Sequence, residues 1–152
     1  MNKIAIFPGS FDPFTTGHKE IIERAYEMFD HIIVAIGYNS EKKNYFPLEQ
    51  REEWIRKVFA GKDKISVKSY QGLTVDFCIE NGAHYILRGL RNSTDFEYEK
   101  NIAQMNKAIH PEIETVFLLS SPELSAVNAN IVRDIIRHGG DASHFLPKEI
   151  NL

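Results

Sequence analysis

Residues 4–18 read Ile4-Ala5-Ile6-Phe7-Pro8-Gly9-Ser10-Phe11-Asp12-Pro13-Phe14-Thr15-Thr16-Gly17-His18. The run Ile4 to Phe7 is short and apolar, as a buried strand is. Beyond His18, the residues Ile21, Ile22, Ala25, Met28 and Phe29 recur at helical spacing on one face. The stretch therefore predicts a strand, a glycine-rich turn and a helix. Such a turn aims backbone N–H groups and the helix N-terminus at one point, which is the geometry that binds phosphate. His18 at the helix start adds a movable donor without a fixed positive charge. That suits a phosphoryl group gaining charge during reaction.

Working outward, apolar strand-like runs alternate with helical patterns to the end of the chain. His31 to Ile36 is a second strand rich in β-branched residues, and Gly37 to Pro47 is a polar loop. Leu48 to Phe59 reads as a helix with Leu48, Trp54, Ile55, Val58 and Phe59 apolar, and Ile65 to Tyr70 as a strand. Thr74, suited to an N-cap, opens a short helix to Asn81 with Gly82 past its end. Tyr85 to Leu87 is a short strand delivering Arg88 to Arg91, and Ser93 or Thr94 caps a long helix to about Ile109. Thr115 to Leu119 is a fifth strand, Asn128 to His138 a further helix, and the remainder holds a short helical turn. This alternation predicts one α/β domain over residues 1–152, a Rossmann-like five-stranded parallel sheet with helices on both faces. Ligands of such sheets bind at the carboxyl ends of the strands, where strand order reverses.

Composition narrows the class. The 152 residues are 43% hydrophobic and 26% charged, which suits a globular fold rather than a disordered chain. A net charge of −3 argues against a nucleic-acid coat or a polybasic membrane anchor, so an anionic ligand must be held by local cations. Cys78 is the single cysteine and builds neither a disulfide nor a metal site. With no apolar run long enough for a bilayer and no signal-peptide pattern after Met1, the expectation is a soluble cytoplasmic protein.

The candidate site residues each carry a plain alternative. Ser10 offers a hydroxyl and an N–H to phosphate, or is a simple turn residue. Asp12 is better suited to shaping the turn through backbone amides than to meeting an anion. Lys42 sits beside Lys43 in a polar loop and reads, on its own, as solvated surface. Arg88 and Arg91 either fork onto phosphate oxygens or pair with Asp95, Glu97 or Glu99, and both roles are compatible. Tyr98, Met105 and Leu73 could line a pocket, although such a stripe is more often core.

Gly9 to Pro13 followed by Thr15-Thr16-Gly17-His18 resembles the (His/Thr)-x-Gly-His signature of the nucleotidylyltransferase superfamily. Together with Lys42, Arg88-Gly89-Leu90-Arg91, Asp95 to Glu99 and Gly140 to Pro147, the chain resembles the bacterial phosphopantetheine adenylyltransferase family from Lys3 to about Pro147. That resemblance implies transfer of an adenylyl group from ATP to 4′-phosphopantetheine, giving dephospho-coenzyme A and pyrophosphate. It assigns catalysis to Ser10, His18, Lys42 and Arg91, with Lys42 orienting the attacking phosphate and Arg91 on the β- and γ-phosphates. ATP contacts are expected from Ser10, Phe11, His18, Gly89, Leu90, Arg91 and Glu99. They continue along the loop Leu124, Ser125, Ala126, Val127, Asn128, Ala129 and Asn130. The acceptor is expected at Ser10, Lys42, Thr74, Arg88 and Asn106. Mg²⁺ is expected on nucleotide oxygens and water, with no protein ligand. A homohexamer and feedback inhibition by coenzyme A are further family expectations.

One segment departs from the pattern. Where the family usually carries Ile-Ser-Ser-Ser/Thr, this chain has Val127-Asn128-Ala129-Asn130. Two hydroxyls have become amides and one is lost, although helix-start N–H groups remain for phosphate. Nucleotidyl transfer to glycerol phosphate with CTP or to nicotinamide mononucleotide with ATP shares the first signature. A non-catalytic adenylate-sensing module would fit the altered loop. A dehydrogenase is disfavoured because the first turn lacks G-x-G-x-x-G.

Overall fold

The structure, a computed structural model, describes residues 2–152. Five parallel strands, β1 (Ile4–Gly9), β2 (His31–Gly37), β3 (Ile65–Tyr70), β4 (Tyr85–Leu90) and β5 (Glu114–Leu119), lie in the order β3-β2-β1-β4-β5. The helices are α1 (Thr16–Ala25), α2 (Leu48–Val58), α3 (Thr74–Glu80), α4 (Ser93–Ile109) and α5 (Ala129–Arg137). Short 3-10 turns cover Pro122–Leu124 and Ser143–Phe145. The five-stranded parallel sheet expected from the alternation is the one observed, and strand order reverses between β1 and β4.

Alternation along the central strands divides the core. Ala5, Phe7, Ile32, Val34 and Ile36 face α1, α2 and α5, where they meet Ile21, Ile22, Trp54, Ile55 and Val132. Ile6, Ile33 and Ala35 point to the other face and pack with Val75, Phe77, Cys78 and Ile113. A strand buried on both faces reads as a continuous apolar run, which is why Ile4 to Phe7 and His31 to Ile36 were legible as strands.

Several boundaries differ from the sequence reading. Helix α1 ends at Ala25, and Met28, assigned to its apolar face, is 47% exposed. Strand β4 continues through Leu90, so Arg88 lies within the strand and only Arg91 follows it. Its ladder with β5 pairs Arg88 with Phe117 and Leu90 with Leu119. Asn92, not Ser93 or Thr94, caps α4 by accepting from the Asp95 N–H. Leu73 occupies the cap position of α3, and the Thr74 hydroxyl instead meets Tyr70 Oη at 2.7 Å. Helix α4 has no buried residue along its 17 positions, so Tyr98 and Met105 are not core. Among the described residues, no helix is long and apolar enough to cross a membrane.

Gly89 lets α1 approach the sheet. A Cβ there would lie 2.9 Å from Ile21 Cγ1, inside the packed contact of α1 with β4. Gly89→Ala is therefore expected to lower unfolding stability by about 1–3 kcal/mol through overpacking, read from urea denaturation.

Candidate active site

The site is built on the turn after β1. Phe11 holds a left-handed backbone at φ 48°, a costly conformation for a non-glycine residue, so its surroundings must impose it. They do so by packing: its ring lies 5.5 Å from Phe7, 5.3 Å from Phe14 and 5.0 Å from the His18 imidazole. Gly9 leaves room for that ring, since a Cβ there would lie 2.8 Å from Phe11 Cε1.

The Asp12 carboxylate accepts the N–H groups of Tyr45 at 2.7 Å and Phe46 at 2.8 Å. It shapes the turn through amides, as expected, but the amides belong to the loop after β2. Arg133 of α5 donates to the Asp12 carbonyl at 2.7 Å, so α5 also grips this turn.

His18 is the third residue of α1 and half of a capping box. Thr15 Oγ1 accepts from the His18 N–H at 3.4 Å, and His18 Nδ1 accepts from the Thr15 N–H at 2.9 Å. An Nδ1 that accepts carries no proton, so the neutral ring holds its proton on Nε2. Burial pushes the His18 pKa down to about 3, and the positive charges of Arg88 and Arg91 push the same way. The half-buried imidazole lines the main cleft as a neutral donor.

Both arginines are held by carboxylates. Arg88 forks onto Glu99 at 2.8 and 2.9 Å and also donates to the Pro8 carbonyl at 2.6 Å. Arg91 forks onto Asp95 at 3.0 and 3.2 Å, and its backbone N–H adds a third bond at 3.0 Å. Burial raises the Asp95 pKa, but the Arg91 bonds and charge outweigh it and hold the carboxyl below its usual range. Glu97 takes no part and faces Lys100. The Asp95 fork engages one guanidinium edge of Arg91, whereas Arg88 is engaged on both sides, by Glu99 and by the Pro8 carbonyl, and both arginines line the cleft. The ion-pair and phosphate-facing readings are thus compatible in geometry for Arg91.

Three adjoining cavities share this turn. The first, of about 300 Å³, takes in Ser10, Phe11, His18, Gly89, Arg91 and Glu99 with Leu124, Val127, Asn128 and Ala129. The second, of about 340 Å³, is lined by Ser10, Thr74, Arg88 and Asn106, together with Tyr70, Tyr98 and Ile102. The third, of about 260 Å³, holds Lys42 with Ser10, Asn39 and Tyr70. Ser10 is common to all three.

Other residues named from the sequence lie outside these linings. Leu90 is buried in the sheet, and the Ser125 hydroxyl turns back to the Pro122 carbonyl at 3.0 Å. Ala126 lines none of the three, and Asn130 Oδ1 is taken by Arg133. Asn128 lines the first cavity, but its Oδ1 caps α5 by accepting from the Ile131 N–H at 2.9 Å. Its loop is tethered by Glu20, whose carboxylate accepts the Ser121 N–H at 2.9 Å.

Sequence reasoning missed Arg51, Tyr70, Glu20 and Arg133. Arg51 had a signal: it falls in helical register with Leu48, Ile55 and Val58 on the apolar face of α2. A charge on that face needs a partner, and finding it requires the tertiary structure.

The chain matches the Cytidylyltransferase-like family over residues 6–135. It is 48% identical over 150 residues to the phosphopantetheine adenylyltransferase of Cytophaga hutchinsonii, covering 99% of this chain and 100% of that one. The enzyme of the same name from Flavobacterium psychrophilum is 51% identical, with 97% of each chain covered. That from Leptospira biflexa is also 51% identical, covering 97% of this chain and 92% of the relative. Among solved structures, a bifunctional NMN adenylyltransferase/ADP ribose pyrophosphatase from Francisella tularensis superposes with a TM-score of 0.74 at 20% identity. It covers 96% of this chain, which spans 45% of that longer protein, and shares the fold.

The depressed His18 pKa sets a pH dependence with a definite sign. The folded value, about 3, lies below the ordinary 6.5, so below pH 6.5 the unfolded chain binds a proton that the folded chain refuses. The contribution of His18 to stability is complete above pH 6.5 and drains away toward pH 3. In the ligand-free protein the His18 Cε1–H resonance is expected not to titrate between about pH 5 and pH 8, where an unperturbed histidine would. His18→Gln should flatten the fall in stability on that acid limb, measured by denaturation at stepped pH.

Proposed function

The chain belongs to the phosphopantetheine adenylyltransferase family of cytidylyltransferase-like proteins, and from there we propose how its residues divide the labour of the reaction. It is a nucleotidyltransferase that carries an adenylyl group from ATP to 4′-phosphopantetheine, releasing pyrophosphate and forming dephospho-coenzyme A. ATP takes the first cavity, with its α-phosphate at His18 and Ser10 and its β- and γ-phosphates at Arg91. The acceptor takes the other two, its arm along Thr74, Arg88 and Asn106 and its phosphate between Ser10 and Lys42. The observation that carries this division is that Ser10 borders all three cavities, so two phosphates held in them would meet at its turn.

An oxygen of the acceptor phosphate attacks the α-phosphorus. A new P–O bond forms while the bond to the α–β bridging oxygen breaks, and pyrophosphate leaves with the electron pair. The attacking phosphate is already anionic, so no general base is required. His18 cannot serve as one at neutral pH in any case, because its available ring position is an Nε2–H donor. Holding two phosphates in line supplies up to about 7–11 kcal/mol, and a donor aimed at the developing charge adds about 3–4 kcal/mol. Arg91 steadies the leaving group in an orientation already set by Asp95.

The carboxylates beside the cleft, Asp95 and Glu99, are each engaged by an arginine. A Mg²⁺ accompanying ATP would therefore be carried by phosphate oxygens and water, neutralising charge on the nucleotide. The bare apolar side of α4, with Tyr98 68% and Met105 65% exposed, supports assembly with further copies, for which the family expectation is a hexamer. Coenzyme A carries the acceptor's arm and would compete at the same cavities. The cytoplasm, where these substrates would be met, is the proposed location.

Pyrophosphate release with ATP, Mg²⁺ and 4′-phosphopantetheine tests the reading, with glycerol phosphate and nicotinamide mononucleotide as rival acceptors and CTP as rival nucleotide. Release with ATP and 4′-phosphopantetheine alone supports it; release with another pair reassigns the acceptor cavities. ATP binding with no release for any acceptor would favour an adenylate sensor. His18→Ala is expected to lower kcat by about 10²–10³ with little change in ATP affinity.

A further inference from the structure

Arg51 lies on the apolar face of α2, only 3% exposed, and lines none of the three cavities. Burial of the guanidinium lowers its pKa, while Asp12, Glu49 and Glu52 act in the other direction. Among the described residues it forms no ion pair. Its bonds go to two carbonyls instead: Nε donates to Phe46 at 3.0 Å and Nη1 to Ser10 at 2.6 Å. Asp12, two residues after Ser10, accepts the Phe46 N–H at 2.8 Å. The Phe46 residue is thus gripped at both ends of its own backbone, by Arg51 at the carbonyl and Asp12 at the amide. The Ser10 turn and the Lys42 loop are closed into one ring of hydrogen bonds.

A buried cation is expensive, and an apolar side chain of similar length would fill this space at lower desolvation cost. What it could not do is bridge two carbonyls from separate segments with one rigid fork. We infer that Arg51 is a positioning residue for the acceptor phosphate, setting the spacing of Ser10 and Lys42 without touching either substrate. The inference rests on the assignment of those two groups to the acceptor phosphate. Of this ring only Ser10 also borders the cavity that holds Arg91, whereas Asp12, Phe46 and Arg51 do not and Lys42 lines the third cavity, so the effect falls chiefly on the acceptor.

The test uses Arg51→Lys, which keeps the charge but replaces the fork with a single ammonium, and Arg51→Met, which keeps only the stem. Arg56→Gln, an exposed change on the same helix, serves as the control. For Arg51→Lys the expected result is a fall of about 10- to 100-fold in kcat/KM for 4′-phosphopantetheine, with ATP affinity within about twofold of the parent. In a Lys42→Ala background most of that loss should disappear, because the two residues act on one group. Unchanged kinetics in Arg51→Lys would overturn the inference. So would parallel loss of ATP and acceptor binding that tracks the unfolded fraction, or strict additivity with Lys42→Ala. If Arg51→Met does not fold, Arg51→Lys decides alone. Turnover of 4′-phosphopantetheine by the parent enzyme separates the two claims: its absence overturns the functional reading, whereas its presence with an unaffected Arg51→Lys overturns only the role of Arg51.

Discussion

The hydrogen bond from the Thr15 N–H to His18 Nδ1 is the contact on which the geometry of the cleft depends. It satisfies an amide at the helix start and, in the same act, decides which ring nitrogen keeps the proton. The aromatic rings of Phe7, Phe11 and Phe14 around the imidazole fix its plane. They also desolvate it, so that it stays neutral. A local device for ending a turn and starting a helix thereby produces a neutral, preoriented donor, which in the proposed reaction needs no reorganisation. The strained backbone of Phe11 belongs to the same arrangement, since its ring is the nearest of the three to the imidazole, at 5.0 Å.

Around this donor the charges are paired before any anion arrives. Arg88 and Arg91 each hold a carboxylate from α4, which limits their reach and fixes their direction. An unpaired arginine would attract phosphate more strongly but would lose more side-chain freedom on binding it. Asp95 and Glu99 trade attraction for orientation, and an enzyme that must release pyrophosphate has reason to make that trade. At net charge −3, the concentration of arginines at the cleft is local rather than a property of the whole surface.

The fold was largely legible because its signals are short-ranged. Strands β1 and β2 are continuous apolar runs, and Gly82 and Gly139 mark helix ends with positive φ values of 65° and 75°. Helix caps were less legible: Asn92, Ser93 and Thr94 are all competent caps, and which one serves depends on where β4 releases the chain. The extension of β4 through Leu90 was hidden by Arg88 and Gly89, residues that read as loop until β5 supplies a ladder partner. The Asn128–Asn130 segment departs from the family pattern in sequence alone. Only the structure shows that Asn128 caps α5 while Asn130 serves Arg133.

By itself the sequence determined the strand-helix alternation, the glycine-rich turn after the first strand and the histidine at its end. Each of these is written in residues within a few positions of one another, where periodicity and turn chemistry act directly. Tertiary structure alone decided that Asp12 reaches Tyr45 and Phe46, that Arg88 meets Glu99, and that Arg51 joins Ser10 to Phe46. Those partners are distant in the chain and become neighbours only through the strand order β3-β2-β1-β4-β5. A hydrogen bond needs its two groups within about 3 Å, and no local pattern encodes which distant segment will be brought that close.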